Sequence, residues 1–150
     1  MTLLGLSFLL SLQAPAAMPD LCPLVADLNA VIVAETRHTP PPCPAIGFAV
    51  LPATGAVRSQ AGAYLPDSGR IELAADLDLT TAYGQSYLLH ELVHAAQFAS
   101  GADMTAACPA ALEGEAYRVQ AAFLLQAGLR RDSVLVGLLA AQLGQCAAEY

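Results

Sequence analysis

The sequence predicts an α+β domain: an N-terminal helix, a small three-stranded sheet, antiparallel or mixed, and three helices after it. Three observations lead there. Apolar residues recur at helical spacing early, give way to short β-type runs between residues 46 and 74, and return to helical spacing from about residue 80. The 150 residues, 56% of them hydrophobic, suffice for one sizeable core and not for two. No repeat, low-complexity tract or linker divides the chain, so residues 17–150 read as one domain.

The elements follow in order. Thr2–Leu12 (TLLGLSFLLSL) is an uncharged apolar run before Gln13, Ala14, Pro15 and Ala16, the pattern of an h-region ahead of an A-x-A cleavage site, with the cut expected after Ala16. No Lys or Arg precedes the run, which departs from an ordinary signal peptide. A membrane span needs about 20 apolar residues, more than this run offers. Residues 1–16 therefore read as a signal peptide and the protein as exported, periplasmic or secreted, without stable membrane insertion after signal removal. An uncleaved anchor and a buried N-terminal helix are the alternatives.

Leu24, Val25, Leu28, Val31 and Ile32 then place an amphipathic helix over Pro19–Thr36, which the prolines of Thr39–Pro44 end. Ile46–Leu51 is a short apolar strand. Ala61–Leu65 and Arg70–Ala74 flank the turn residues Pro66, Asp67, Ser68 and Gly69, the pattern of a β-hairpin. A helix spans Thr80–Ser100, with Gly101 as its C-terminal stop. The next starts at Pro109 and runs to about Gln126, with Gly128 just beyond. Asp132 or Ser133 is expected to cap a last helix through Leu143.

Composition narrows the function. Six Lys plus Arg against thirteen Asp plus Glu, a net charge of −7, offer no basic stripe for a phosphate backbone, so nucleic acid is excluded as a partner. Cys22, Cys43, Cys108 and Cys146 all follow the expected cleavage point, and an even count in an exported chain suggests two disulfides. Of three possible connectivities, Cys22 with Cys43 and Cys108 with Cys146 would each tie neighbouring elements. Four buried thiols in a cytosolic protein are the alternative.

The chemistry concentrates in His90, Glu91, Leu92, Val93 and His94, an H-E-x-x-H pattern on a predicted helix. Four residues at 100° each bring the second imidazole to within about 40° of the first, so both face one point. Two neutral histidines and one carboxylate hold zinc with a position left open for water, and Glu91 beside it suits the general acid and base role. Two carboxylates follow, Glu113 and Glu115, pointing about 160° apart on the next helix. Glu113 lies at the margin of the apolar stripe beside Tyr117, Gln120 and Leu124. Glu115 faces the other side, three residues before Arg118, where a solvated ion pair is expected. Glu113 is therefore the expected third ligand and Glu115 the alternative.

With His90, Glu91, His94 and, after eighteen intervening residues, Glu113, the chain resembles the gluzincin metallopeptidases. In several gluzincin branches that glutamate begins an E-x-x-A-D or E-x-x-x-D pattern whose aspartate buttresses a ligand histidine. Here Glu113 and Ala116 keep the pattern, and Tyr117 stands where the aspartate would be. A nearer likeness is to small single-domain bacterial proteins with a metallopeptidase signature, in which a cysteine precedes an E-x-x-A-Y-x-x-Q helix. Cys108, Glu113, Ala116, Tyr117 and Gln120 match it, and the resemblance spans about residues 60–146.

The resemblance implies a minimal zincin-like layout, with a small sheet over the active helix and a strand such as Arg70–Ala74 edging the cleft. It also implies that an extended peptide or protein substrate pairs with Ile71, Glu72 and Leu73, unless these form an ordinary edge strand. Larger gluzincins stabilise the oxyanion from a further domain. His38, Tyr64 and Tyr83 are the candidate stand-ins here, although each reads first as a loop or packing residue. The expected function is a zinc-dependent hydrolase, a metallopeptidase with Glu91 as general base. The alternative is a non-catalytic zinc-binding or interaction module of the exported space. Substrate specificity and oligomeric state are not legible in the sequence.

Overall fold

A computed structural model describes residues 20–51 and 61–147 of the chain. The expected signal peptide and its cleavage point lie outside these residues. The elements are α1 (Cys22–Glu35), β1 (Ile46–Ala49), β2 (Gly62–Leu65), β3 (Arg70–Ala74), α2 (Ala82–Ala99), α3 (Ala102–Thr105), α4 (Pro109–Gln126) and α5 (Arg130–Leu143). This is the α+β order read from the sequence, with one addition. The single turn of α3 follows Gly101, whose φ of 72° ends α2 in the left-handed region that glycine adopts without strain. Four residues are too few for a hydrophobic period to announce them.

Strands β2 and β3 form the expected hairpin, with Gly69 at φ +63° closing the turn. The sheet is mixed and ordered β1-β3-β2: β1 runs parallel to β3 in register Ile46 to Ile71, and β2 runs antiparallel in register Tyr64 to Ile71. This overturns one expectation. Arg70–Ala74 does not edge the cleft, because β3 spends its backbone groups on neighbours at both sides. Ile71 N–H donates to Ala45 on one flank, while Ala74 N–H donates to Ala61 on the other. The edge strand on the site's side is β2.

Helix α2 is buried along most of its length, its apolar residues facing the core and its buried polar ones, Ser86, His90, Glu91 and Gln97, turned into the site. Leu88, Leu89, Leu92, Val93 and Ala96 pack against Val25, Leu28 and Ile32 of α1, Ile71 and Leu73 of β3, and Ala116 and Val119 of α4. Its N-terminus is fixed by Thr81, whose hydroxyl accepts from Gly84 N–H at 3.0 Å. None of the described helices is long and apolar enough to cross a membrane.

Helix α5 begins earlier than expected. Asp132 and Ser133 are not its caps: the helix starts at Arg130, and Ser133 N–H already donates to Leu129 O at 2.9 Å. Gly128, at φ +82°, makes the reversal from α4 so tight that the new helix starts almost at once. Asp132 sits in the first turn, where its charge favours the helix dipole. The disulfides pair Cys22 with Cys43 and Cys108 with Cys146. The first ties the start of α1 to the segment before β1, and the second ties the residue preceding α4 to the chain just after α5.

Candidate metal centre

One turn of α2 separates His90 from His94, and their rings meet edge to face with centroids 4.9 Å apart. Their Nε2 atoms are 3.2 Å apart. From α4, Glu113 brings Oε2 to 3.4 Å from His90 Nε2 and Oε1 to 3.4 Å from His94 Nε2. A tetrahedral ion with ligand bonds of about 2.0–2.1 Å spaces its ligand atoms at roughly 3.3–3.4 Å. The two imidazoles and the carboxylate, which faces each histidine with a different oxygen, approach at separations close to that spacing. With one ligand atom from each within 4.8 Å of the others, these three residues form a cluster able to hold a metal ion.

The surrounding hydrogen bonds decide which imidazole nitrogen is free. Ser86 Oγ donates to Tyr83 O at 2.7 Å and accepts from Gln120 Nε2 at 3.1 Å, so the amide of Gln120 turns its oxygen to His90 Nδ1, 3.2 Å away. Gln97 Nε2 donates to Leu112 O at 3.0 Å and to Glu115 Oε2 at 2.9 Å, so its oxygen faces His94 Nδ1 at 2.9 Å. Each amide oxygen can only accept, so both histidines carry their proton on Nδ1. Both Nε2 lone pairs then point at one another and at a carboxylate. Three electron-rich groups this close repel unless a cation lies among them, and the donor set of two imidazoles and a carboxylate suits a divalent metal.

The titration behaviour agrees. When a proton rather than a metal occupies His90 Nε2 or His94 Nε2, the N–H faces Glu113 and holds its carboxyl far below the usual carboxylate range. Burial opposes an imidazolium at His94, yet Glu113, Glu91 and Gln97 outweigh it and raise His94 above its ordinary value. The site draws positive charge.

Glu91 is buried, and that burial pushes its carboxyl up, against the pull of His90, His94 and the Tyr64 N–H. Tyr64 N–H of β2 donates to Glu91 Oε2 at 2.7 Å, which fixes the carboxylate against the sheet edge. The approach is close. A Cβ at Gly62 would lie 2.8 Å from Glu91 Cγ and 2.9 Å from its Oε1, so only glycine leaves room. Glu91, His90, His94 and Glu113 open together on a cavity of about 500 Å³, walled by Gly62 and Tyr64 of β2, Tyr87 and Phe98 of α2, Tyr117 of α4 and Val136 and Leu139 of α5.

The cavity thus brings together the four residues singled out in the sequence, and Glu113 rather than Glu115 meets the histidines. Glu115 is not the solvated partner of Arg118 that its spacing suggested. Its carboxylate accepts from Gln97 Nε2 and, at 2.7 Å, from His38 Nε2, and these bonds hold its pKa down against burial, with Arg118 adding a weaker charge effect. Tyr117 rests its ring against His90 at 4.4 Å. The buttressing of His90 Nδ1 falls to Gln120, one turn further on.

Of the three candidates for an oxyanion donor, only Tyr64 lines the cavity. His38 lies behind the site on Glu115 and Ser100, and the hydroxyl of Tyr83 pairs with that of Tyr87 at 2.8 Å. The sequence reading missed Gln97 and Ser86. Gln97 carried a signal, three residues after His94 on the same helical face; Ser86 carried none until Gln120 was placed.

A metal-ligand triad of this geometry, with a buried carboxylate beside it, is typical of a zinc-dependent hydrolase active site. No curated protein matches the chain. No solved structure matches it either. Residues 43–147 match a family model described as a domain of unknown function (DUF6647), which covers more than half of the chain. The protein belongs to that family.

Proposed function

We propose that this protein is an exported zinc metallopeptidase of the gluzincin type, with His90, His94 and Glu113 as ligands and Glu91 as general base. The observation that carries the reading is the convergence of three ligand atoms with Glu91 opening on the same cavity. Zinc held there would supply Lewis acidity, polarising a scissile carbonyl and acidifying water. Glu91 takes the proton of the attacking water as its oxygen bonds to the carbonyl carbon. It returns that proton to the amine nitrogen as the C–N bond breaks. Burial raises the carboxyl of Glu91, which makes its carboxylate a stronger base for the water proton.

The edge of β2 supports a peptide substrate. Ala61 O accepts from Ala74 N–H, so the alternate residues Gly62 and Tyr64 turn their backbone groups away from β3, the Tyr64 N–H to Glu91 and the carbonyls of both to the open side of the strand. An extended peptide beside Gly62 passes Glu91 and the ligand cluster. Two disulfides support an oxidising compartment, in line with export. The test is direct. Purified protein is assayed for zinc by elemental analysis and, metal-loaded, against a mixed peptide library with Glu91→Gln as the blank. Zinc near one equivalent and cleavage absent from the blank are expected; protein without metal, or equal cleavage by the variant, sinks the reading.

A further inference from the structure

Glu115, two residues from a proposed ligand, is turned away from the cavity and joins α4 to α2 and to the segment between α1 and β1, through contacts that the hydrolytic reading leaves unused. We propose that Glu115 and His38 are positioning residues for the metal centre, acting through Gln97 to fix the ring of His94. This rests on the metal reading above.

The chain of contacts is continuous. His38, in the segment between α1 and β1, sets Nε2 at 2.7 Å from Glu115 Oε2 and Nδ1 at 2.9 Å from Ser100 Oγ at the end of α2. A carboxylate only accepts, so His38 Nε2–H donates to it. The same Oε2 accepts from Gln97 Nε2 at 2.9 Å. Gln97 is fully buried, and its other end meets His94 Nδ1 at 2.9 Å.

The direction of the Gln97 amide is what matters. Turned round, it would press its oxygen against the Leu112 carbonyl and the Glu115 carboxylate, two acceptors, and face His94 Nδ1–H with an N–H. The negative oxygen of Glu115, together with the Leu112 carbonyl, therefore selects the amide orientation that accepts from His94 Nδ1, and so presents the His94 Nε2 lone pair to the metal. His38 holds Glu115 in place for that task. The Cys22–Cys43 disulfide encloses His38 within its loop, which ties the position of the imidazole to that of α1. Partners behind ligand histidines typically change metal affinity by about 10–100-fold when removed.

The experiment measures zinc affinity of the full chain by competition with a chromogenic chelator, and the visible bands of the cobalt-loaded protein. Thermal unfolding of the metal-free protein is followed in parallel. Glu115→Ala is expected to weaken zinc binding about tenfold and to alter the cobalt bands, because His94 loses its fixed orientation. His38→Ala should act in the same direction by a smaller factor. Glu115→Gln should restore affinity close to that of the unaltered protein, since its amide oxygen accepts from both Gln97 and His38. Both residues are partly exposed, with side chains 29% and 16% accessible, so neither substitution opens the core as Gln97→Leu would.

Alanine variants that lower the unfolding temperature yet bind zinc with unchanged affinity and unchanged bands would reduce the network to scaffolding and overturn the proposal. So would a Glu115→Gln protein as weak as Glu115→Ala. If the unaltered protein takes up no zinc, the metal reading itself fails, an outcome distinct from these.

Discussion

Helices α2 and α4 meet at the cavity but are held there by different means. Helix α2 is a buried rod: its core side chains touch α1, the sheet and α4, so His90, His94 and Glu91 inherit their positions from the hydrophobic core. Helix α4 contributes one carboxylate, Glu113, whose side chain is 46% exposed. Ala116 and Val119 join α4 to the core, and its other side rests on α5, which comes so close that a Cβ on Gly114 would lie 2.7 Å from the Cα of Gly144. The Cys108–Cys146 disulfide closes the same pair of helices. Two ligands and the base are thus set by core packing alone, and the third ligand by core packing together with a helical hairpin and a covalent tie. A site divided this way can be disturbed from either side with separable results.

The largest effect is expected on the α2 side and only in catalysis. Glu91→Gln preserves shape and keeps an acceptor for Tyr64 N–H, so metal content should stay the same, while peptide cleavage falls by about 10²–10⁴-fold with loss of the proton carrier. Elemental analysis and turnover on one preparation check both halves. On the α4 side, Glu113→Ala removes the oxygen atoms that face both histidines. Zinc affinity should fall by more than the 10–100-fold typical of a supporting residue, and activity at limiting metal should fall with it. Equal zinc affinity in Glu113→Ala would mean that α2 alone holds the metal, and the division of labour would be lost.

Stability separates the two sides next. Loops closed by disulfides with sequence separations of 21 and 38 residues stabilise by about 3–4 kcal/mol each in the chain-entropy account. Replacing Cys108 and Cys146 by serine should lower unfolding free energy by about that much and weaken zinc binding, because α4 is freed at the end nearest Glu113. Replacing Cys22 and Cys43 should cost similar stability and disturb zinc less. Denaturant titration and chelator competition on the two double variants make the comparison.

How much of this could be read from the chain follows the same division. The H-E-x-x-H pattern carries its geometry in its own spacing, because i and i+4 share a helix face whatever the tertiary structure. Glu113 was separable from Glu115 by angle alone, since one lay beside the apolar stripe and the other did not. The disulfides paired as neighbouring elements suggested. What failed depended on contacts remote in sequence. Nothing local in Arg70–Ala74 says that β1 will join its second edge and hand the cleft to β2. Nothing in Glu115 and Arg118 says that His38, from 77 residues earlier, will claim the carboxylate. Ser133 resembles a cap in isolation, and the tightness of the turn at Gly128 decides otherwise.

The smallest effects test the helical hairpin directly through two glycines. Gly114 of α4 has no room: alanine there would collide with the backbone of Gly144 and force α5 outward. A cost of about 1–3 kcal/mol is expected, the usual range for overpacking a tight contact. Because Glu113 is the adjacent residue, zinc affinity should fall as well. Gly137 in the middle of α5 is the contrast, since a Cβ there would meet nothing within 4 Å. Alanine at that position should raise stability by up to about 1 kcal/mol, the helix-propensity difference, and leave zinc affinity unchanged. Thermal unfolding and chelator competition on Gly114→Ala and Gly137→Ala decide the matter. Opposite signs in stability, with metal affinity changed only by the first, place the third ligand under the control of the α4–α5 crossing. If both glycines prove equally tolerant, that crossing does not set Glu113, and the carboxylate must owe its position to the histidines it faces.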